Sequence, residues 1–293
     1  SRHQITGWKL KDALPYDLII IDEASMVNEA IWKDLLGFAK PIVAVGDHGQ
    51  LPPIEGTFNL MASPAIRLEK IHRQAEANPI IMVSMLAREN GYIPPRAFSR
   101  DVVKIDRNES ESQETAEIWL KKSGLGSLVL CGYNKTRLQL NQFIRDDKGF
   151  REPQPSNGDR VICLKNNQKK SIFNGMLGTV ISMKPSSDDW YEAEIMMDDE
   201  TNNYTGLVYR NQFGSQDQSF KLTPALRETG DFFDFGYALT VHKAQGSQAS
   251  RVVVFEERFP KMDDDTWRRW LYTAVTRAEE KLFIVGSGRE ELA

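Results

Sequence analysis

The residues with the clearest chemical capacity begin at an acidic pair. Four apolar residues, Leu18-Ile19-Ile20-Ile21, run directly into Asp22-Glu23. An unalternating apolar run of this kind reads as a buried parallel strand. The carboxyl ends of such strands are where open α/β sheets bind ligands. Asp22 placed there can hold Mg²⁺, largely through water, and Glu23 can polarise an attacking water. The competing reading is an acidic pair that only caps the next helix.

One strand–helix–strand unit later comes Gly46-Asp47-His48-Gly49-Gln50-Leu51-Pro52-Pro53. Its glycines permit tight turns, and Gln50 is a neutral polar group able to contact a γ-phosphate. Arg73 and Arg277 are candidate cations. A phosphoryl-transfer site between two domains needs positive groups from the second one, whereas a single arginine is more often a solvated surface residue. The most distinctive stretch is Thr240-Val241-His242-Lys243-Ala244-Gln245-Gly246-Ser247. Its hydroxyls, amide, imidazole and ammonium around one glycine suit phosphate oxygens and nucleic-acid backbones. Here the plainer reading is a helix start capped by Thr240 or Ser247.

These groups need elements to place them. Residues 16–21 and 41–45 read as buried strands around a helix at 28–39, which makes one βαβ unit. A helix at 79–90 follows, closed by Gly91 and Pro94-Pro95. A helix at 113–122, a strand at 127–131 and a helix at 135–145 restart the alternation in a second α/β domain. From about 153 the texture changes to short strands at 159–164, 178–181 and 193–197, with Asn174-Gly175 as a turn dipeptide. That pattern predicts a small β-barrel. After 230 the α/β pattern returns, with strands at 251–255 and 281–285 around a helix at 264–278.

The chain has 293 residues, a length that predicts about two domains. Hydrophobic residues make up 41%, enough to build cores and against a disordered chain. No apolar run approaches the ~18–20 residues of a membrane span. Two cysteines, Cys131 and Cys163, cannot form a disulfide framework, and with four histidines they show no zinc-ligand spacing. The start of the chain holds no apolar signal-peptide core. These features lead us to expect a soluble, cytoplasmic protein. The first residue is Ser rather than Met, so the chain is expected to be a piece of something longer. A net charge of −4 argues against a uniformly basic nucleic-acid coat but leaves room for a local basic cleft.

Taken in order, Asp22-Glu23-Ala24-Ser25, Gly46-Asp47 with Gln50-Leu51-Pro52-Pro53, Arg73-Gln74, Thr240 to Ser247, and Tyr272-Thr273-Ala274-Val275-Thr276-Arg277-Ala278 resemble the motif series of the superfamily 1 DNA helicases. Within that superfamily the chain resembles the 5′→3′ subgroup of RecD-like and bacteriophage Dda-like proteins, over nearly its whole length. The resemblance implies two RecA-like parallel-sheet lobes, the first incomplete, with an SH3-like barrel inserted in the second. It divides the chain into a partial first lobe at 1–66, a second lobe at 67–152 plus 231–293, and the inserted barrel at 153–230.

By the same resemblance, Asp22 is the Mg²⁺-linked carboxylate and Glu23 the catalytic base. Gln50 is the γ-phosphate sensor, and Arg73 and Arg277 stabilise charge on the transferring phosphoryl group. Gln245 and Gly246 lie near ATP, whereas Thr240, His242 and Ser247 lie near single-stranded DNA. The family's phosphate loop, Gly-x-x-x-x-Gly-Lys-Thr/Ser, has no match upstream of Asp22. The nearest mimic, Cys131-Gly132-Tyr133-Asn134-Lys135-Thr136, lacks the required glycines and reads as an ordinary strand-to-helix turn. Three readings therefore stay open: the C-terminal part of an ATP-dependent 5′→3′ translocase, a non-hydrolysing DNA-binding or interaction module, and a RecD-like subunit of a recombination exonuclease complex. Partners implied are single-stranded DNA and a single-strand-binding or recombination protein. In the barrel, Arg160, Lys165, Lys169 and Lys170 are candidate phosphate contacts, opposed by Asp188, Asp189, Asp198, Asp199 and Glu200.

Overall fold

A computed structural model describes residues 10–53, 58–68, 78–198, 200–215 and 228–288. Arg73 lies outside the described residues. The first unit consists of β1 (Ile19–Ile21), α1 (Glu29–Gly37) and β2 (Ile42–Ala44). β1 and β2 pair in parallel, with Ile19 opposite Ile42. Asn28 starts α1 by accepting the Ile31 amide at 2.9 Å. The expectation that these strands are buried is not met. Ile20 is 69% exposed, and Leu18, Val43 and Val45 are exposed too. The reason is the width of the sheet. Among the described residues the pair has no third strand, and a parallel pair hides its β-branched side chains only when both faces are covered.

The chain continues through α2 (Pro79–Asn90), β3 (Arg96–Ala97), β4 (Val102–Asp106), α3 (Ser112–Lys121), β5 (Ser127–Cys131) and α4 (Asn134–Asp147). α2 is punctuated as its sequence demands. Asn78 caps it, proline opens its first turn, and Gly91 closes it with φ 65°. An antiparallel stretch follows: β6 (Arg160–Cys163), β7 (Leu177–Pro185), β8 (Trp190–Met197), β9 (Tyr204–Tyr209) and β10 (Phe233–Phe235). The last elements are β11 (Ala238–Thr240), β12 (Ala249–Phe255), α5 (Asp264–Val275) and β13 (Ala278–Gly286).

Six strands form the main sheet in the order β11-β5-β12-β13-β4-β3, parallel except for the edge strand β3. Strand alternation divides its side chains between two cores. Leu128, Leu130, Val252 and Val254 point to one face, where α2 supplies Ile80, Val83 and Ala87, and α5 supplies Trp270, Leu271 and Ala274. Val129, Cys131 and Val253 point to the other, against Trp119 and Leu120 of α3 and Leu140 and Ile144 of α4. Helices on both faces are why these strands read as continuous apolar runs. This sandwich is the RecA-like lobe that the sequence implied.

β10-β6-β7-β8-β9 form a five-stranded antiparallel sheet with its own core of Val161, Cys163, Ile195, Val208 and Phe233. Its strand β10 lies past residue 230 and pairs with β6. Two ion pairs tie this sheet to α4: Arg137 with Asp234 at 2.8 Å and Arg145 with Asp159 at 3.0 Å, all four side chains essentially fully buried. Arg160, read above as a phosphate contact, is a correction. It is buried and its guanidinium is bonded to Asp198. Lys170 is held at 3.0 Å by the buried Asp231. Among the described residues no helix is long and apolar enough to cross a membrane, and no cluster of three metal-ligating side chains occurs.

Candidate active site

Glu23 follows β1 with φ 49° and ψ 42°, the left-handed region that non-glycine residues seldom occupy. Such conformations persist where the surroundings enforce them, often at functional sites. Its amide donates to Asp22 Oδ1 at 2.8 Å. The next amide, of Ala24, donates to the Val45 carbonyl at 2.9 Å and ties the end of β1 to the end of β2. Gly46 fits tightly against that junction, since a Cβ there would lie 2.9 Å from the Ala24 nitrogen. Short-range pairing of β1 and β2 therefore starts the acidic pair and the 46–53 loop side by side.

The loop then leaves its own unit and docks on α5. The Tyr272 hydroxyl donates to Asp47 Oδ2 at 2.7 Å, and the Leu51 amide donates to Thr273 Oγ1 at 3.0 Å. The Arg269 guanidinium donates to the carbonyls of His48 and Gln50. Gln245 Nε2 donates to the Leu51 carbonyl at 2.8 Å, and the Leu51 side chain is buried in the main sheet's core. Gln50 is buried, and its Oε1 has no hydrogen-bond partner. A buried acceptor left open costs about 1–3 kcal/mol, and among the described residues six other buried side-chain polar atoms share that condition.

Arg277 lies just beyond α5 and is 3% exposed. Its Nε donates to the Thr273 carbonyl at 3.0 Å and its Nη1 to the Ser247 carbonyl at 3.2 Å. Burial lowers its pKa, and the nearby Glu23 and Asp47 carboxylates oppose that shift. Gly246 adopts φ 78°, and a Cβ there would lie 4.0 Å from Met26 Sδ, in the short turn Ala24–Met26 that follows the acidic pair. Through these contacts the acidic pair, the Gln50 loop, Gln245-Gly246-Ser247 and Arg277, which are far apart in sequence, come close together.

Thr240 ends β11 opposite Cys131 of β5. Its carbonyl accepts the amides of Lys243 and Ala244 at 2.9 and 3.1 Å. Residues 241–246 form consecutive turns, so the reading of Thr240 or Ser247 as a helix cap fails. His242 is half-buried, and burial pulls its pKa down, which keeps the ring neutral at pH 7. Lys243 reaches Asn174 of the antiparallel sheet at 3.4 Å. The mimic turn at 131–136 is filled by the chain itself. The amides of Gly132 and Tyr133 donate to Glu257 Oε2 at 2.7 and 3.0 Å, where a helix N-terminus can take an anion.

Sequence reasoning assigned no role to Arg88, Arg269 or Tyr272. Arg88 bonds His48 and lies 5.9 Å over the Tyr272 ring. Burial and then Arg88 lower the pKa of His48. The available signal was spacing. Arg269, Tyr272 and Thr273 fall at i, i+3 and i+4, a polar stripe on a helix whose other face is apolar.

Two family models match the chain: a UvrD-like helicase C-terminal domain over residues 235–285 and an AAA domain over 2–99. The ATP-dependent RecD2 DNA helicase of Deinococcus radiodurans is 30% identical over 93% of the chain. These matches relate the chain to the C-terminal portion of superfamily 1 helicases. Another relative is the RecBCD enzyme subunit RecD of Mycolicibacterium smegmatis, 25% identical over 94% of the chain. The chain spans 37% of the length of that RecD2 and 51% of that RecD. A crystal structure of Bacteroides Pif1 bound to single-stranded DNA superposes with a TM-score of 0.56 at 19% identity, covering 94% of this chain and 71% of that one. The likeness to Pif1 supports the RecA-like parallel-sheet fold.

Proposed function

We propose that the chain is the C-terminal motor portion of an ATP-dependent DNA helicase or translocase. Its substrate is single-stranded DNA, and its polarity is 5′→3′. The observation that carries this reading is the convergence of the acidic pair, the Gln50 loop, Gln245-Gly246 and Arg277 in one place. In this reading Glu23 accepts the proton of the attacking water. Gln50 donates from its side-chain amide to a γ-phosphate oxygen and can accept the attacking water's hydrogen at its open Oε1, and Arg277 meets charge as it builds on the transferring group, a role Arg73 shares. The exposed carboxylate of Asp22 fits Mg²⁺, which keeps most of its waters and takes one or two protein carboxylates beside phosphate oxygens. That ion supplies charge neutralisation on the phosphates.

Thr240, His242 and Ser247 face the DNA, on the loop that Gln245 joins to the nucleotide side. The inserted sheet is an SH3-like barrel, supported by its five antiparallel strands and separate core. A longer polypeptide supplies the phosphate loop, and a single-strand-binding or recombination protein is its partner, the latter suggested by the likeness to RecD.

The test is DNA-stimulated ATP hydrolysis by the longer protein and its Glu23→Gln variant. Loss of a general base lowers turnover by about 10²–10⁴-fold. Undiminished hydrolysis in the variant would overturn the role of Glu23.

A further inference from the structure

We infer that Tyr272 and Asp47 form a positioning pair that fixes the place of Gln50. The inference rests on the reading of Gln50 as the γ-phosphate contact. Asp47 closes a tight turn: its Oδ1 accepts the Gly49 amide at 2.8 Å, and its carbonyl accepts the Gln50 amide at 3.2 Å. That turn fixes the direction in which the Gln50 side chain leaves the backbone. The second oxygen of Asp47 takes the Tyr272 hydroxyl at 2.7 Å, so α5 sets where the turn sits.

The ring of Tyr272 is a wall as well as a donor. A Cβ on Gly49 would lie 3.0 Å from its Cε1, so the loop backbone rests directly on the ring. Arg88 of α2, bonded to His48, lies 5.9 Å above the same ring. Burial and Asp47 both keep the phenol protonated, hence a donor. Gln50 Oε1 has no partner of its own. No bond from that oxygen corrects the side chain's position if the turn shifts. Removing one hydroxyl from Tyr272 therefore acts on Gln50 rather than on the lobe's core.

The experiment uses the longer, hydrolysis-competent protein with Tyr272→Phe, Asp47→Ala, the double variant and Gln50→Ala. Phenylalanine keeps the ring and removes only the donor. The expected result is a roughly tenfold or greater fall in kcat for Tyr272→Phe, with KM for ATP within about twofold and an unchanged far-UV circular dichroism spectrum. The double variant is expected to be no slower than Asp47→Ala alone, because the pair acts as one unit. Wild-type kcat in Tyr272→Phe, a change confined to KM, or losses that multiply in the double variant would each overturn the inference. Gln50→Ala separates the two layers. If it hydrolyses ATP normally, the reading of Gln50 itself fails. If it is inactive while Tyr272→Phe is not, only the positioning inference fails.

Discussion

Replacing Asp159 by alanine should be among the most damaging single changes in the described chain. Asp159 and Arg145 are both fully buried. Their contact is two-pronged, with Arg145 Nε to Asp159 Oδ1 at 3.0 Å and Nη2 to Oδ2 at 3.0 Å. Asp159 also accepts the Ser156 amide at 2.8 Å and the Tyr237 hydroxyl at 3.2 Å. Alanine would leave the guanidinium in a dry interior with the Gln154 carbonyl at 2.8 Å and the Phe235 ring at 4.0 Å as its partners. Its Nη1 is unpaired already. Breaking a buried pair from one side costs about 3–5 kcal/mol, a large share of a typical total of about 5–15 kcal/mol. Urea unfolding of the 293-residue chain followed by far-UV circular dichroism reads this as a lower midpoint at unchanged slope. The double change Arg145→Met with Asp159→Leu should recover much of the loss, since the penalty lies in the stranded charge. A loss below about 1 kcal/mol for Asp159→Ala would refute the reasoning and place the pair among weak ionic contacts.

Arg277→Lys should lower DNA-stimulated hydrolysis by the longer protein about 10²-fold or more. An ammonium cannot reproduce the directed bonds to Thr273, Ser247 and Thr276. Turnover within twofold of the parent would contradict the role given to Arg277. Stability should also fall in alkali. Burial pushes the Cys163 thiol from its ordinary 9.0 up to about 12, and raises Cys131, Tyr204, Tyr237 and Tyr272 as well. The unfolded chain releases these protons first, so unfolding becomes easier as pH rises from about 9 toward 12, by up to about 1.4 kcal/mol per pH unit per group. Urea midpoints that rise between about pH 8 and about pH 10.5 would contradict this sign.

The main sheet was legible where composition and punctuation agreed. Leu128 to Cys131 is apolar on both faces because helices cover both faces, and α2 is bracketed by Asn78, Pro79 and Gly91. β4 was not legible. Its centre is Lys104, which looks like a surface residue but is buried against Glu256 at 2.7 Å. β10 was equally hidden, since Asp234 breaks its apolar run and only its pairing with Arg137 makes burial tolerable. The exposure of β1 and β2 could not be read from their side chains, which are those of a covered strand. Of the candidate site, the motif residues were visible as types in order, whereas their meeting depends on contacts separated by about two hundred residues. The Leu51 bonds to Thr273 and Gln245 are such contacts.

Those same contacts bear on how DNA and nucleotide would influence one another in the proposed motor. The loop after β11 carries both kinds of group within eight residues. Thr240 and His242 stand at its start, while Gln245 bonds the Leu51 carbonyl and the Ser247 carbonyl receives Arg277. The turns at 241–246 are fastened to Thr240 through the amides of Lys243 and Ala244, and Ser247 is fastened to Ala244 in turn. A displacement of the turn at its Thr240 end therefore reaches Gln245 and Ser247 through successive backbone bonds. From there it reaches the Gln50 loop and Arg277 directly, with no intervening element to absorb it. Coupling of this kind needs no long relay across the lobe. In the proposed motor it would also account for one short polar loop being assigned both ligands. Separating the DNA contacts from the nucleotide contacts by an extra helix would insert compliance between the two events that a translocase has to link.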